Sequence, residues 1–275
     1  MQAVSPQMQL LTEKAFQYNQ DTSIYWLGSA GVLINSYGTT ILIDPDLDQI
    51  QIDGMYFNQR NGVKMFQQVP IQMEAVPMVD AIFYTHADED HIGIASYKQL
   101  AQTGSPIHCT QFVKNHLIAN GITDNQIFAH EKLDTFRIND LVIEMTLADH
   151  PWHKNKPTLY DYYYTIDDCT GYKVTTKDGI IWHPGDSILL PEHLNERPVD
   201  LLLIDFSNDP FHFGKEGAVQ LANQQILAEL IPIHWGTYES DKPCFNANPY
   251  ELKDGVVNNK RLHILGIGEK YTLKK

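Results

Sequence analysis

The chain has 275 residues, is 43% hydrophobic and 20% charged, and carries a formal net charge of −14. This is the composition of an ordinary soluble globular protein, long enough for one large core or two small ones. Its acidity excludes an electropositive nucleic-acid track, and no apolar run approaches the roughly 20 residues of a membrane span.

Taken in chain order, Ser5 to Tyr18 reads as a short N-terminal helix within an extension over residues 1–20. Three strands follow, Ser23–Leu27, Gly31–Asn35 and Thr39–Ile43, with Gly28 and Gly38 marking the turns and Asp44-Pro45 the end of the third. Residues 46–79 are rich in Gln, Met and Pro and too long for a simple connector, so they read as an irregular cover. The apolar run Ala81–Tyr84 is a short buried strand, and a helix is expected from Ile92 to Thr103. Pro106–Cys109 is the next strand, and Gln111–Asn120 a helix stopped by Gly121. Strands are then expected at Leu141–Leu147, Tyr160–Ile166, Gly171–Thr176, Gly179–Trp182 and Asp200–Asp205. Helical spacing runs over Lys215–Leu230, before a last strand at Ile231–Ile233. There is no repeat and no low-complexity linker, so residues 1–275 read as one domain.

Cys109, Cys169 and Cys244 are far apart and form no CxxC pair, so neither a disulfide framework nor a thiolate zinc site is expected. Met1 to Gln20 lacks a basic stretch followed by an apolar one, which gives no signal peptide and points to a reducing, cytoplasmic setting.

The chemistry concentrates in Tyr84 to Gly93, where His86, Asp88, Asp90 and His91 crowd one turn at a strand end. Two carboxylates so close are comfortable with a divalent cation between them. Other donor residues recur where apolar strands stop: His150 after Leu141–Leu147, Asp186 after Gly179–Trp182, and His234 after Ile231–Ile233. Strand ends of a shared sheet converge on one rim, which is how distant residues build one site. His86, Asp88, Asp90, His91, His150, Asp186 and His234 are all N or O donors, a set suited to one or two ions of Zn, Mn or Fe. His153, three residues after His150, is the competing donor there.

The turn resembles the H-x-H-x-D-H signature of the metallo-β-lactamase superfamily, with Asp88 at the second position. Trp26–Gly31 with Ile41–Pro45, Ala148–His150, Gly185-Asp186, and Phe211–Val219 running into Pro232–Thr237 are similar to its other motifs. Within the superfamily, the chain is most similar to the L-ascorbate-6-phosphate lactonase-like branch of metal-dependent hydrolases. The resemblance implies a mixed α/β (α+β) fold, a four-layer αββα sandwich with the metal at one edge. It also implies that His86, Asp88 and His150 hold one ion, that Asp90, His91 and His234 hold another, and that Asp186 bridges. Asp90 would orient the attacking water and accept its proton. His212 matches a family histidine near the site mouth and is expected to contact substrate or act as an acid. Asp44 is expected to brace the turn, and His183 either supports the site or packs in its strand.

The implied function is metal-dependent hydrolysis of a small molecule, a lactone or other cyclic ester first and a phosphodiester next. No nucleic-acid or membrane partner is expected, and the oligomeric state is left open. The acidic second position also resembles di-iron oxidoreductases of the superfamily, although no flavin-binding region is visible. A non-catalytic metal-binding module is the third reading. His108, His116, His130, His193 and His263 have no partners in the sequence pattern and read as structural or exposed.

Overall fold

The computed structural model describes residues 3–59, 62–152, 164–241 and 247–274. Its first sheet begins with the antiparallel run β1 (Thr22–Gly28), β2 (Gly31–Ser36) and β3 (Thr39–Ile43). A small separate sheet then covers this end of the molecule: β4 (Ile50–Ile52), β5 (Met55–Phe57) and β6 (Lys64–Met65). The chain returns to the first sheet as β7 (Ala81–Phe83), followed by helices α1 (Glu89–Ile92) and α2 (Ser96–Ala101). β8 (Ile107–Cys109), α3 (Gln111–Ala119) and β9 (Ile127–Ala129) continue it. β3, β7, β8 and β9 are parallel neighbours.

The second sheet opens with the antiparallel run β10 (Thr135–Ile138), β11 (Leu141–Leu147), β12 (Thr170–Thr175) and β13 (Ile180–His183). After α4 (Pro191–Leu194) comes β14 (Leu201–Asp205), then α5 (Gly214–Gln224) and β15 (Glu229–Ile233), and the last three strands are parallel. The chain finishes with β16 (Lys270–Leu273), which closes the outer edge of the first sheet against β1.

Alternation along the strands decides the layering. Ile24, Trp26, Val32, Ile34, Ile41, Ile43 and Phe83 point one way and meet Ile143, Met145, Val174 and Ile181 of the second sheet. Leu27, Leu33, Leu42, Ile82 and Tyr84 point the other way, under α2 and α3. β14 is apolar over Leu201–Ile204, with only its last residue, Asp205, polar, because Ala218, Leu221 and Ala222 of α5 cover its second face. The result is the expected αββα sandwich.

Four local expectations are corrected. Ser5–Tyr18 makes only one 3₁₀ turn, Glu13–Phe16, because its backbone donors are spent on the rest of the fold. Gln9 N–H donates to Ile267 O and Leu11 N–H to Pro70 O, and the Gln67 amide donates to the Ser5 and Pro6 carbonyls. The helix expected over Ile92–Thr103 is broken at Gly93, where φ is +69° and an added Cβ would meet Asp48 Oδ1 at 2.9 Å. Asp48 is buried there to accept from the Ile94, Ala95 and Ser96 N–H groups, so the second helix is capped from 48 residues away.

The third correction is the helix over Lys215–Leu230. It stops at Gln224 because Arg261 gathers the carbonyls of Ala222, Gln225 and Ala228 at 2.6–3.1 Å. Residues 46–79 are the fourth, being partly ordered as β4–β6 rather than irregular throughout. Of the strand expected at Tyr160–Ile166, residues 160–163 lie outside the described residues, and 164–166 are not strand.

His108 and His130 do have partners. Their rings are stacked, with Nδ1 of His108 2.9 Å from Nε2 of His130, against Phe83, Phe128 and Phe136. Burial, with the neighbouring His130 adding to it, pulls His108 from the ordinary 6.5 down to about 4. A depressed histidine is neutral when folded, so the unfolded chain takes up protons first as pH falls. Stability should therefore be lost between pH 6.5 and about 4, by roughly 3 kcal/mol at about 1.4 kcal/mol per pH unit. His108→Phe should flatten that slope in urea unfolding at stepped pH; an unchanged slope would show that the pair is not its source.

Candidate metal centre

The rim where β3, β7, β11, β13, β14 and β15 end collects the chemistry. β3 ends at Asp44, whose backbone sits at φ +45°. Its buried carboxylate accepts from Thr85 N–H at 2.8 Å, from Thr85 Oγ1 at 2.6 Å, and pairs with His91 Nδ1 at 2.8 Å. Asp44 thus braces the His86–His91 turn, as expected, and tethers one of its imidazoles. α1 gives that turn its shape: the Asp88 carbonyl accepts from His91 and Ile92 N–H, which leaves the Asp88 side chain free to turn inward.

Five imidazoles form a closed ring. The order is His86, His91, His234, His212, His150 and back to His86, with neighbouring centroids 4.1–5.4 Å apart. Every Nε2 points to the centre. Those of His91 and His212 lie 3.0 and 2.8 Å from Asp186 Oδ2, and that of His234 lies 3.4 Å from it. Those of His86 and His150 lie 3.3 and 3.4 Å from Asp88 Oδ2. Asp90 Oδ2 is 3.5 Å from His234 Nε2. All seven donors read from the sequence are therefore brought together, with His212 as the fifth ring.

Two triads flank Asp186: His86, Asp88 and His150 on one side, and Asp90, His91 and His234 on the other. Asp186 is positioned by Gly185 before it, at φ +70°, where an added Cβ would lie 2.4 Å from Thr170 O. Asp88 is held by Trp152 Nε1–H at 2.7 Å and by the Tyr164 hydroxyl at 2.8 Å. His153 lies outside the described residues, whereas His150 is in the ring. His183 is a brace: its Nε2–H donates to Ala30 O, and its Nδ1 accepts from Gly185 N–H.

Sequence reading missed Asp205, Asp209, Trp152 and Tyr164. Asp205 carried a usable signal, since it ends a buried apolar strand as the other donors do. Asp209 bonds His212 Nδ1 at 2.7 Å, and nothing in its loop sequence marks it.

Electrostatically the centre is short of cations. Burial opposes the charged form of His91, yet Asp186 and Asp44 on its two nitrogens outweigh this and raise it well above the usual histidine value. His212 is likewise raised, burial being overcome by Asp205, Asp186 and Asp209. Asp186 is held well below the carboxylate range: burial pushes it up, but His234, His91 and His212 prevail. Asp205 has no such donor, and burial lifts it to about 6. His86 Nε2, both nitrogens of His234, Asp186 Oδ1 and both Asp205 oxygens are buried without a hydrogen-bond partner. These unpartnered atoms of His86, His234, Asp186 and Asp205, set among the converging Nε2 atoms of five histidines, fit a divalent ion. Asp186, Asp205, His212 and His234, then His86, His150 and Asp186, then Asp90, His91 and His234, each place ligand atoms within 4.8 Å of one another.

Comparisons with known proteins bear on the family and the fold. A family model described as "Beta-lactamase superfamily domain" matches residues 39–235. A "UPF0173 metal-dependent hydrolase" of Nitratidesulfovibrio vulgaris is 24% identical over 264 residues, covering 92% of this chain and 96% of that protein. An "N-acyl-phosphatidylethanolamine-hydrolyzing phospholipase D 1" of Caenorhabditis elegans is 23% identical over 232 residues, covering 78% of this chain and 63% of that protein. Among solved structures, an isothiocyanate hydrolase from Delia radicum gut bacteria superposes with a TM-score of 0.70. It is 20% identical, over 91% of this chain and 99% of that one.

An ion that binds the folded centre and not the unfolded chain raises stability by RT ln(1 + [L]/Kd). That is about 2.7 kcal/mol at a hundredfold excess over Kd, or a melting shift of roughly 5–10 °C at this size. Thermal melts of metal-stripped protein with added Mn²⁺, Fe²⁺ or Zn²⁺ check it. The absence of a shift with all three would mean the ring is structural.

Proposed function

The chain belongs to the beta-lactamase superfamily, and from that premise we propose that it is a metal-dependent hydrolase. The observation that carries the proposal is the ring of five buried imidazoles whose Nε2 atoms all face Asp186 and Asp88. In this reading His86, Asp88 and His150 hold one divalent ion, Asp90, His91 and His234 a second, and Asp186 lies between them. When bound, such an ion would polarise the carbonyl oxygen of the ester under attack and make a water nucleophilic near neutral pH.

The protein's own groups do the rest. Of the carboxylates that face the ring's Nε2 atoms, Asp90 and Asp88 retain some exposure, at 18% and 15%, against 3% for Asp186. Asp90 is placed to orient the incoming water and take up its proton. His212 faces the centre across the ring, with Asp209 on its Nδ1 fixing the plane of the imidazole. Held there, it can pass a proton from Nε2 to the departing alkoxide. Trp152 and Tyr164 keep Asp88 from swinging away.

Lactones and other cyclic esters are the proposed substrates, as in the lactonase-like hydrolases the sequence resembles. A site holding the carboxylates Asp88, Asp90 and Asp186, with Asp205 and Asp209 beside them, repels multiply charged anions, which favours a neutral or singly charged ester. A phosphodiester is the second choice, in line with the Caenorhabditis elegans relative's name. A di-iron oxidoreductase would draw on the same donors, Asp88 included; oxygen uptake without ester cleavage would identify it. A panel of lactones, phosphodiesters and thioesters assayed with metal analysis tests the reading, and an absence of hydrolysis in the metal-loaded protein counts against it.

Two substitutions probe the roles. Asp88→His exchanges a hard anionic oxygen for a borderline nitrogen and should move preference from manganese or iron toward zinc in competition binding. The same order of preference in both proteins would remove Asp88 from the ligand set. Asp186→Ala should lose metal and activity together. His212→Ala should keep its metal and lose about 10²–10⁴-fold in rate, the usual worth of general acid–base help. Metal loss in the second variant, or full rate in the first, would invert the assignment.

A further inference from the structure

Four of the five imidazoles are fixed from behind. His86 Nδ1 lies 3.0 Å from Thr85 Oγ1, His91 Nδ1 2.8 Å from Asp44, His150 Nδ1 3.1 Å from the Phe211 carbonyl, and His212 Nδ1 2.7 Å from Asp209. His234 is the exception: neither of its nitrogens has a hydrogen-bond partner. Facing its Nδ1 at 4.0 Å is Oδ1 of Asp205, a fully buried carboxylate with neither oxygen partnered. A buried carboxylate with no donor is expensive and does not persist without compensation.

The backbone makes this facing pair a built feature rather than a chance of loop packing. Asp205 stands opposite Ile233 in the parallel ladder of β14 and β15, one residue before His234. Phe206 N–H donates to Ile233 O at 3.0 Å, just beyond Asp205. His234 N–H donates to Ser29 O at 2.8 Å, and its backbone is held at φ +63°, a region a histidine occupies only under constraint. Both side chains are thereby aimed at each other from fixed points.

We propose that Asp205 is the positioning carboxylate of His234. With an ion on Nε2, the 4.0 Å gap closes and Asp205 accepts the Nδ1 proton, which orients the ring and strengthens its Nε2 donor, the part Asp44 already plays for His91 at 2.8 Å. Such outer partners govern both ring orientation and donor strength, and losing one typically weakens metal binding about 10- to 100-fold. The proposal rests on the metal-hydrolase reading only in requiring an ion at Nε2. It also explains why this acid can be tolerated at a dry strand end: the partner it lacks in hydrogen bonds is supplied once His234 is committed as a ligand.

Equilibrium dialysis of metal-stripped protein against Mn²⁺ tests it. Asp205→Leu should bind Mn²⁺ about 10- to 100-fold more weakly than the unmodified protein. Asp205→Asn, whose amide oxygen still accepts from Nδ1–H, should stay within a few-fold, with the number of ions per chain unchanged in both. Thermal melts of the metal-free variants report folding. If the leucine variant does not fold, imidazole spectra of the Zn²⁺-loaded unmodified and Asp205→Asn proteins decide: His234 should carry its proton on Nδ1, and that proton should resonate farther downfield with the carboxylate than with the amide, an unchanged shift overturning the proposal. A proton on Nε2, equal affinity in the leucine variant, or an asparagine variant as weak as leucine or one ion short overturns the proposal, the last two making Asp205 itself a ligand. Failure of the unmodified protein to bind either metal overturns the hydrolase reading as well, whereas the other outcomes leave that reading standing.

Discussion

Everything at this rim depends on burying charge without leaving it unpaired. Asp44 shows how the fold does it. One carboxylate, wholly out of solvent, takes two donors from Thr85 and a third from His91. It therefore couples the end of β3 to the turn after β7, and no solvent competes for its lone pairs. Remove it and the turn loses its anchor, while a buried imidazole loses its orientation, a loss of several kcal/mol by the standards of broken buried pairs. The rest of the centre repeats this device at lower strength, with a hydroxyl behind His86, a carbonyl behind His150 and another carboxylate behind His212.

The sheets supply what side chains cannot. β3 and β7 are parallel neighbours, as are β13, β14 and β15, so their last residues leave the two sheets at the same rim. The apolar interior between the sheets fixes register, since a slip of one residue would turn Ile24, Trp26, Val32 and Ile34 away from the core. That rigidity is what allows strained backbone at the rim. Asp44 and His234 both sit at positive φ, each paid for by a ladder that cannot shift.

Most of the centre was legible because its residues obey a simple rule: a polar donor within a few residues of the end of a short apolar run. His86, His150, Asp186 and His234 follow it, and the H-x-D-x-D-H spacing added the others. The architecture followed from the same runs. What could not be read is long-range capping. Nothing local says that Asp48 will stop one helix and start another, that Arg261 will end α5, or that residues 5–11 will spend their N–H groups on Ile267 and Pro70. Each is a tertiary contact overriding a local propensity. Trp152 and Tyr164 were invisible for the same reason, since their role exists only once Asp88 has turned toward them.

Exposure within the centre is uneven, and that asymmetry sets the direction of approach. The side chains of all five ring histidines are at most 5% exposed, whereas Asp88 and Asp90 reach 15% and 18%. Solvent, and any substrate, therefore meets the two carboxylates of the turn before it meets an imidazole. A bound cation would be approached from its carboxylate side, with the wholly buried Asp205 farthest from solvent. The order of burial, carboxylates outside and imidazoles within, is set in the turn after β7: Asp88 and Asp90 keep a partly wet side, while His86 and His91, one of them on the same short helix as Asp90, are wholly buried.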